Sequence, residues 1–431
     1  MTNYTVWPLS MWQRFEIAGR HPSLDRDLPG FVRGPWYTLN AVLEVRGPFD
    51  RRLLDEAFNQ LLRRHELLRT RIDEGAREPV QVVSSRVNSR VEILDREDSL
   101  SAGALLYAPV EFDAPSPIRL RLAPRSSNEH LVTVHLHHVM ADPTTLWMVL
   151  RELGALYSGL LSGLVLPNPS AQYGEYAQLE AQLVVAGRSA SEQWWSTLLS
   201  RATSARTLRD GQIDAGEGVY RSELLTAAEL SAVERWARAH RNILFAALVT
   251  AMARSVAPYY ETAGGLLFTT LFSRRDRPEW QHMLGPCTIP AYLWVPEPPE
   301  RLSTAYAEAV RDIVFGCYRH ARLPDVATLT GISEQEPVYK AYTVPCIEHL
   351  PKEWPGRIDF GPARGLVVNA VGPLDAGNRR SLAIRTRKAD GGALAARVSW
   401  DGNGWTKNLA LRVFHDLRGQ VNHLIGGREY G

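Results

Sequence analysis

Apolar residues recur along the chain at two different spacings, which predicts a mixture of helices and strands. Spacings of three and four residues mark an amphipathic helix, whereas strict alternation marks a half-buried strand. The helical pattern predicts helices over residues 49–64, from 143 to about 160, and over 227–239, 243–256, 305–321 and 405–424. The alternating pattern predicts strands over residues 80–83, 90–94, 131–138, 266–272, 382–387 and 393–400, the last two as a hairpin.

Helices and strands follow one another irregularly, which favours the α+β class with mixed sheets. A lobe boundary is predicted near residues 163–190, because Pro-Asn-Pro-Ser at 167–170 breaks regular structure before a further amphipathic helix that extends to about residue 185. We therefore assign residues 1–175 to an N-terminal lobe and residues 176–431 to a C-terminal lobe. The length of 431 residues suits two domains of ordinary size.

The composition is that of a globular protein with a large core, and it excludes several functional classes. Hydrophobic residues make up 45% and charged residues 22% of the chain, and a net charge of +2 gives no preference for nucleic acid. The chain lacks both an apolar run long enough for a membrane span and a signal-peptide pattern. Cys287, Cys317 and Cys346 are too far apart for a zinc site or a disulfide framework. A reducing cytoplasm is the predicted setting, and no metal is expected.

The most informative chemistry lies in residues 137–143, with the sequence His-His-Val-Met-Ala-Asp-Pro. Alternation along the preceding strand sends the two histidines to opposite faces, so they cannot bind one metal ion together without a bulge. His138 ends the otherwise apolar face, where a base facing a dry cavity would lie. Asp142 is a good N-cap and Pro143 suits the first helical position. The motif therefore lies at a strand–loop–helix junction, a frequent location of chemistry.

Four further segments accompany this motif in a consistent order and spacing. They are Ser10 with Gln13, Arg-His-Glu-Leu-Leu-Arg-Thr at 64–70, Tyr-Gly-Glu-Tyr-Ala at 173–177, and Arg-Asp-Arg-Pro-Glu at 275–279 followed by Leu-Gly at 284–285. Together with His-His-x-x-x-Asp, they resemble the successive motifs of the condensation domains of nonribosomal peptide synthetases, over nearly the whole chain. We interpret the segment at 64–70 as structural, because it follows a helix and is expected to pack at the lobe core. The segment at 173–177 is interpreted as structural because conspicuous aromatic residues usually pack in the core.

The resemblance implies two chloramphenicol-acetyltransferase-like lobes, arranged as a V-shaped pseudo-dimer with a central tunnel. The tunnel would open to a donor carrier protein on one side and to an acceptor on the other. By the same resemblance, His138 contacts the attacking nucleophile and is the candidate catalytic residue. Asp142 would shape the loop by pairing with an arginine, for which Arg275 is our candidate, and His137 would be structural.

Three departures from the family pattern concern the loop and the acceptor side. Pro143 replaces the family glycine, so no N–H at this position can stabilise an oxyanion, and Thr144 or Thr145 become the candidate donors. Residues 285–289 lack the family asparagine, and no clear counterpart of a late Arg-Asp-x-Ser-Arg motif occurs near residues 336–342. We therefore expect the acceptor side to differ from that of a chain-elongating domain.

The function that the resemblance implies is a free-standing condensation enzyme of natural-product biosynthesis. It would transfer an acyl group from a phosphopantetheinyl thioester to an amine or a hydroxyl, forming an amide or an ester. An acyl or peptidyl carrier protein would deliver the phosphopantetheine in trans, no other cofactor would be bound, and the acceptor would be a small molecule or carrier-bound. No residue is marked as an acyl-enzyme nucleophile, so direct attack is expected, with proximity supplying much of the acceleration.

Two alternatives stay open at this point. An acyl-CoA-dependent acyltransferase of the same superfamily would need no carrier protein, and Asp-Phe-Gly at 359–361 resembles a motif of its plant members, although we interpret it as a turn. A non-catalytic domain that recruits a carrier or another partner protein would use the same fold. The intact His138 argues against recruitment alone, whereas Pro143 and Ile289 argue for it.

Overall fold

The structure is a computed structural model that describes most of the chain. The described residues are 4–17, 32–86, 89–94, 101–202, 207–208, 216–261, 264–321, 344–350, 356–373, 382–389, 391–402 and 404–426. The segment at 336–342, where the sequence shows no late arginine motif, lies outside them.

Several helices begin at residues whose side chains cap them. Asp50 and Asp142 each accept a hydrogen bond from a backbone N–H two or three residues further on. Thr226 and Glu229 form a reciprocal capping box. In chain order the helices are α1 (Met11–Ile17), α2 (Arg51–Arg64), α3 (Pro143–Ser162), α4 (Tyr173–Ala202), α5 (Ala227–Ala239), α6 (Leu244–Val256), α7 (Thr304–His320) and α8 (Lys407–Gly426).

The strands form two large sheets and two small ones. In chain order they are β1 (Tyr4–Pro8), β2 (Thr38–Arg46), β3 (Thr70–Asp73), β4 (Val80–Ser84), β5 (Glu92–Ile93), β6 (Ile118–Pro124), β7 (Glu129–His137), β8 (Thr207–Leu208), β9 (Gly218–Leu225), β10 (Tyr260–Glu261), β11 (Gly265–Ser273), β12 (Thr288–Pro296), β13 (Cys346–Leu350), β14 (Arg357–Phe360), β15 (Ala363–Val371), β16 (Leu382–Lys388) and β17 (Leu394–Trp400). The first large sheet has the order β14-β15-β2-β7-β6-β5, and the second has the order β12-β11-β13-β16-β17-β9. The small sheets are β1-β4-β3 and β10-β8.

Each large sheet buries one face against helices. The first core joins apolar residues of β2, β6 and β7 to those of α2 and α3. The second core joins β9, β11, β12, β16 and β17 to α5, α6, α7 and α8. This arrangement of mixed sheets and helices confirms the predicted α+β class.

The predicted elements are confirmed with ends shifted by at most two residues, with one exception. The helix expected to end near residue 185 continues to Ala202 as α4. It continues because Trp195 and Leu198 pack into the second core, whereas Tyr173 and Tyr176 at its start pack into the first. One helix thus belongs to both cores, which a boundary inferred from a loop pattern could not reveal.

Two strands from late in the chain complete the first large sheet. Strand β15 pairs with β2 in antiparallel register, and β14 pairs with β15. Residues 357–371 therefore lie in the sheet that carries the histidine motif. Gly361, in the Asp-Phe-Gly segment, has φ +61° and turns the chain between these strands, as expected for a turn. The predicted division between residues 175 and 176 falls inside α4 and stays a prediction.

Among the described residues, no single helix is both long and apolar enough to cross a membrane. Helix α5 and the segment Leu244–Tyr259 pass such a test only together, and they are bent by 105° relative to each other.

Candidate active site

His138 lies immediately after the central strand β7, where it opens a short 3-10 turn, His138–Met140. Its backbone N–H donates to Tyr37 O over 2.7 Å. Its ring atom Nδ1 lies 2.7 Å from Ala141 O. A carbonyl oxygen only accepts hydrogen bonds, so Nδ1 must carry the proton and Nε2 carries the lone pair of the neutral ring. The turn thereby fixes the tautomer in which Nε2 can accept a proton.

Two aromatic rings flank the His138 imidazole. The Tyr37 ring stacks on it with centroids 5.1 Å apart and an interplanar angle of 22°. The Trp12 ring is tilted at 31° with centroids 5.6 Å apart, and its Nε1 donates to His138 O over 3.4 Å. These rings restrict the imidazole to one orientation. No local pattern in the sequence marks Tyr37 or Trp12 as part of the site.

A buried carboxyl group completes this cluster. Glu16 is 2% exposed and accepts a hydrogen bond from the Tyr37 hydroxyl. Burial raises the pKa of Glu16 to about 7, although the hydrogen bond from Tyr37 acts in the opposite direction. Trp12 and Glu16 are four residues apart on α1, so they share one helix face. A charged residue on the buried face of a short helix was the available sequence signal.

The electrostatic surroundings keep His138 neutral at ordinary pH. Burial lowers the pKa of His138, and the positive charge of Arg385 lowers it further. The hydrogen bond to Ala141 O and the negative charge of Asp142 act in the opposite direction without reversing the shift. A neutral imidazole with its lone pair on Nε2 is the form that can act as a base or orient a nucleophile.

His137 faces a different environment from its neighbour. It is 1% exposed, and its ring lies edge-on to Phe112 and Tyr37, with centroids 5.5 and 6.0 Å apart. Its Nδ1 accepts a hydrogen bond from Val139 N over 3.4 Å. Burial and the charge of His138 lower the pKa of His137 to about 3. These contacts suit the packing role predicted for His137.

Asp142 joins the second large sheet to the segment His138–Asp142, which we call the histidine loop. Its carboxylate forms a bidentate pair with Arg275, with Nη1–Oδ2 and Nη2–Oδ1 distances of 2.6 and 3.1 Å. It also accepts from Cys287 N over 3.0 Å and from the Thr288 hydroxyl over 3.2 Å. Burial alone would raise the pKa of Asp142, but Arg275 overrides this and holds the pKa below its ordinary value. The structure thus places Arg275 against Asp142, as the sequence analysis expected.

The two threonines after Pro143 differ in their surroundings. Thr145 is fully buried, and its N–H donates to Asp142 Oδ1 over 2.8 Å. Its hydroxyl lies 2.8 Å from Gly285 O and accepts from Gly285 N over 3.1 Å. These bonds occupy Thr145 at the contact between the lobes. Thr144 is partly exposed and is the better of the two candidates for an oxyanion donor.

The contacts of Asp142 and Thr145 with Arg275 and Gly285 form what we call the junction, and the remaining motifs pack around it or further away. The Tyr173 hydroxyl donates to Pro286 O over 2.9 Å and lies 2.6 Å from Ser10 Oγ. Ser10 N in turn donates to the Gln13 side chain over 3.0 Å. Further away, Nε2 of His65 lies 2.7 Å from a carboxylate oxygen of Glu152. These contacts agree with the structural interpretation of the segments at 64–70 and 173–177.

The described part of the chain contains no group of three or more His, Cys, Asp or Glu side chains that could hold a metal ion. The site itself consists of one neutral imidazole, held by its own loop and by two aromatic rings, beside the carboxylate–guanidinium pair of Asp142 and Arg275.

Comparison with known proteins identifies the family. A family model for the condensation domain matches residues 33–334. Cyclosporin synthetase from Tolypocladium inflatum is 26% identical over 268 residues, which are 58% of this chain and 2% of that protein. The beauvericin nonribosomal cyclodepsipeptide synthetase from Beauveria bassiana is 24% identical over 305 residues, which are 66% of this chain and 9% of that protein. The chain thus spans a small fraction of the length of the curated relatives that it matches.

Solved structures share the fold over nearly the whole chain. The SgcC5 protein from Streptomyces globisporus has a TM-score of 0.71 at 16% identity and covers 96% of this chain and 98% of its own. The first condensation domain of the CDA synthetase has a TM-score of 0.67 at 17% identity, with 97% and 96% covered. The X-domain from teicoplanin biosynthesis has a TM-score of 0.71 at 18% identity, with 96% and 95% covered. These likenesses show the predicted chloramphenicol-acetyltransferase-like fold. The family-model match shows that the chain belongs to the condensation-domain family, whose members transfer acyl groups to form amide or ester bonds.

Proposed function

We propose that this protein is a condensation enzyme that acts on a phosphopantetheinyl thioester carried by an acyl or peptidyl carrier protein in trans. It transfers the acyl group to an amine or hydroxyl acceptor in natural-product biosynthesis. The observation that supports this most strongly is the fixed tautomer of His138, whose Nδ1 is bound to Ala141 O at 2.7 Å. A reducing cytoplasm stays the predicted setting, since Cys287, Cys317 and Cys346 are free thiols.

In the proposed reaction, the acceptor attacks the thioester carbonyl carbon directly. A new C–N or C–O bond forms, the C–S bond breaks, and the proton of the acceptor passes to Nε2 of His138. The same proton then neutralises the departing pantetheine thiolate, so His138 returns to its neutral form. An amine that is already neutral needs His138 mainly for orientation. A hydroxyl needs a general base, which typically contributes roughly 10²–10⁴-fold.

The roles of the other predicted residues follow from their contacts. His137 packs behind the loop, and Asp142 with Arg275 holds the loop against the second sheet. Pro143 supplies no N–H, so we assign Thr144 rather than Thr145 as the candidate oxyanion donor. The tunnel between the lobes, predicted from the family resemblance, would bring the carrier-bound thioester and the acceptor together from opposite sides.

A test of this proposal follows the acyl group by intact-protein mass spectrometry. An acyl-loaded carrier protein is incubated with the enzyme and a panel of amines and alcohols, using wild type, His138→Ala and the exposed-histidine control His423→Ala. With an alcohol acceptor, we expect wild type and the control to remove the acyl mass from the carrier and to form the matching product. With an amine acceptor, His138→Ala should retain substantial activity, and with an alcohol almost none.

The two alternatives give different outcomes in the same assay. Transfer from acyl-CoA but from no carrier protein would assign the chain to the soluble-thioester acyltransferases. Binding of a carrier or another protein without any transfer would assign it to recruitment. The second outcome has structural support in the likeness to the teicoplanin X-domain, whose complex with OxyB has a TM-score of 0.73 to this chain at 18% identity.

A further inference from the structure

A row of charged side chains crosses four neighbouring strands of the second large sheet. Arg221 on β9 pairs directly with Arg397 on β17, and Arg397 pairs with Arg385 on β16. Arg385 pairs in turn with Glu348 on β13. Directly paired residues point to the same face of a sheet. One face therefore carries three guanidinium groups and a single carboxylate in one row.

This row lies on the face that meets the histidine loop. The neighbours Ile347, Ile384 and Val398 point to the opposite face and lie in the second core against the helices. On the edge strand β12, Ile289 also lies in that core, whereas the adjacent Thr288 donates its hydroxyl to Asp142 over 3.2 Å. The arginine row and Asp142 therefore lie on the same side of the second sheet.

Arg385 is the residue of this row that we consider for a role beside His138, the proposed reacting group. Its side chain is 38% exposed, and its Nε donates to the buried carboxylate of Glu348, which is 3% exposed. Within the described residues this is its only hydrogen-bond partner. Burial is the main cause that lowers the pKa of His138, and the positive charge of Arg385 contributes in the same direction. Glu348 thus holds Nε at the inner edge of the guanidinium, while the Arg385 side chain as a whole stays 38% exposed.

We propose that Arg385 binds the carboxylate of the acceptor, so that the acceptor is an amino acid or a hydroxy acid whose acid group is recognised opposite His138. This inference rests on the proposed function and names its substrate class. A guanidinium presents parallel N–H donors that match a planar carboxylate. Glu348 acts as a positioning residue, because it fixes the orientation of Arg385.

An oxyanion at Arg385 could have one other source, the phosphate of the pantetheinyl arm. The acceptor carboxylate is favoured because the phosphate lies at the far end of that arm from the thioester, whereas Arg385 lies on the face of the second sheet that also meets Asp142, four residues from His138. A carboxylate close to the nucleophilic group of an amino or hydroxy acid would lie near both residues at once. The two sources are distinguished by whether Arg385 governs the preference for an acceptor with a carboxylate or the preference for a donor with a phosphate.

The first experiment requires no turnover and uses NMR of protein labelled with ¹³C in its histidines. The His138 signal, assigned by its loss in His138→Gln, gives the pKa of His138 with propionate, with propionamide or with chloride of equal ionic strength. Propionate should raise the His138 pKa in wild type, because a bound anion offsets the charge of Arg385. The effect should vanish in the double variant Glu348→Gln with Arg385→Gln, which removes both charges of this ion pair together. Equal shifts with propionate and propionamide, or an undiminished shift in the double variant, would overturn the inference.

The second experiment measures kcat/KM for acyl transfer to alanine and phenylalanine and to their carboxamides. Wild type and the control Arg188→Gln, which alters an exposed ion pair on α4, should prefer the acids by about ten- to hundredfold. The double variant should lose this preference, so that the ratio of its kcat/KM values for each acid and the matching carboxamide falls to about one. Equal use of acids and carboxamides by wild type would contradict the inference. The donor is also varied, from a carrier-bound or CoA thioester to a phosphate-free pantetheine thioester. If transfer depends on Arg385 only with the phosphate-bearing donors, the inference is contradicted and the site is assigned to the donor phosphate.

The proposed function and the inference can fail separately. A propionate-specific shift of His138 without acyl transfer from any donor would support the anion site and reject the condensation activity. Acyl transfer without a propionate effect would support the condensation activity and reject the anion site.

Discussion

Tyr37 links His138 to a buried acid. Its ring stacks on the imidazole at 5.1 Å, and its hydroxyl donates to Glu16. The loop before β2, helix α1 and the turn after β7 therefore meet at one histidine. Because Tyr37 O also accepts the His138 N–H over 2.7 Å, one residue orients both the backbone and the ring of the proposed catalytic group.

The first prediction concerns the pH dependence of acyl transfer. The proposed base is neutral His138, whose pKa lies below 6.5 because of burial and Arg385. Activity should be constant near neutral pH and should fall only as the pH drops through this lowered pKa. Replacing Arg385 and Glu348 together by Gln removes the positive charge without leaving Glu348 unpaired from Arg385, so the acidic limb of kcat/KM should move to higher pH. A limb that does not move would show that another group controls the profile.

The second prediction concerns Glu16 and stability. Because the pKa of Glu16 is about 7 in the folded protein against an ordinary value of 4.5, the folded state binds this proton more tightly than the unfolded chain. Its contribution is fully present below pH 4.5 and is lost as the pH rises through about 7. The loss is at most about 3 kcal/mol.

Denaturant unfolding between pH 5 and pH 8.5 tests this contribution. Glu16→Gln, which keeps a hydrogen-bonding oxygen near Tyr37, should flatten the decline of unfolding free energy with pH. Glu78→Gln is the control, because Glu78 is 75% exposed and forms a distant ion pair with Arg14. An unchanged slope in Glu16→Gln would show that the carboxyl group is already ionised at neutral pH.

The sequence predicts the part of the site that is local in the chain. His138, Asp142 and Pro143 lie within one strand–turn–helix unit, so alternation and capping rules place them without tertiary information. Arg275 is 133 residues from Asp142, and its pairing was expected only through the order of motifs shared with a known family. The α+β class follows from periodicity, because each element has a clear apolar pattern.

The remaining parts of the site depend on contacts that no local pattern encodes. Tyr37 and Trp12 reach His138 only after β2 pairs with β7 and α1 packs beneath the turn. The charged row on the second sheet requires the register of four strands, one of them parallel to its neighbour. The length of α4 depends on a second core that receives Trp195. In each case a long-range packing contact decides which face of an element is buried.

The third prediction concerns Arg275. Its side chain is 5% exposed and that of Asp142 is 2% exposed, so Arg275→Ala leaves an unpaired buried carboxylate. This should lower the free energy of unfolding by about 3–5 kcal/mol. Arg275→Lys keeps the charge without the bidentate geometry and should lose less. The stabilisation by the pair is present above the unfolded pKa of Asp142, near 3.8, and is lost as the pH falls through the lower folded value.

The matched control for Arg275 is Arg188→Ala. Arg188 forms an exposed i,i+4 pair with Glu192 at 2.7 Å, and its removal should change the stability by about 0.5 kcal/mol or less. Similar losses in both variants would mean that the Asp142 pair is not desolvated. Restored stability in Arg275→Ala at acidic pH, where Asp142 is protonated, would identify the unpaired charge as the cause.

The fourth prediction concerns Gly285, which contacts the junction from the second lobe. Its φ of +148° is a conformation that other residues rarely adopt, and an added Cβ would lie 2.0 Å from Cδ2 of Tyr173. The Tyr173 ring cannot move aside freely, because its hydroxyl is bound to Pro286 O and lies 2.6 Å from Ser10 Oγ. Gly285→Ala must therefore displace the ring or the backbone that donates to Thr145.

We expect Gly285→Ala to cost about 3 kcal/mol or more in unfolding free energy. It should also reduce acyl transfer, because Gly285 bonds to both Thr145 and Arg275 at the contact that holds the histidine loop. Gly419→Ala is the control. Gly419 lies in the exposed part of α8 with open space around its Cα, so alanine should stabilise the protein by up to about 1 kcal/mol. Loss of stability without loss of activity in Gly285→Ala would separate the junction from the alignment of His138, whereas loss of both would connect them.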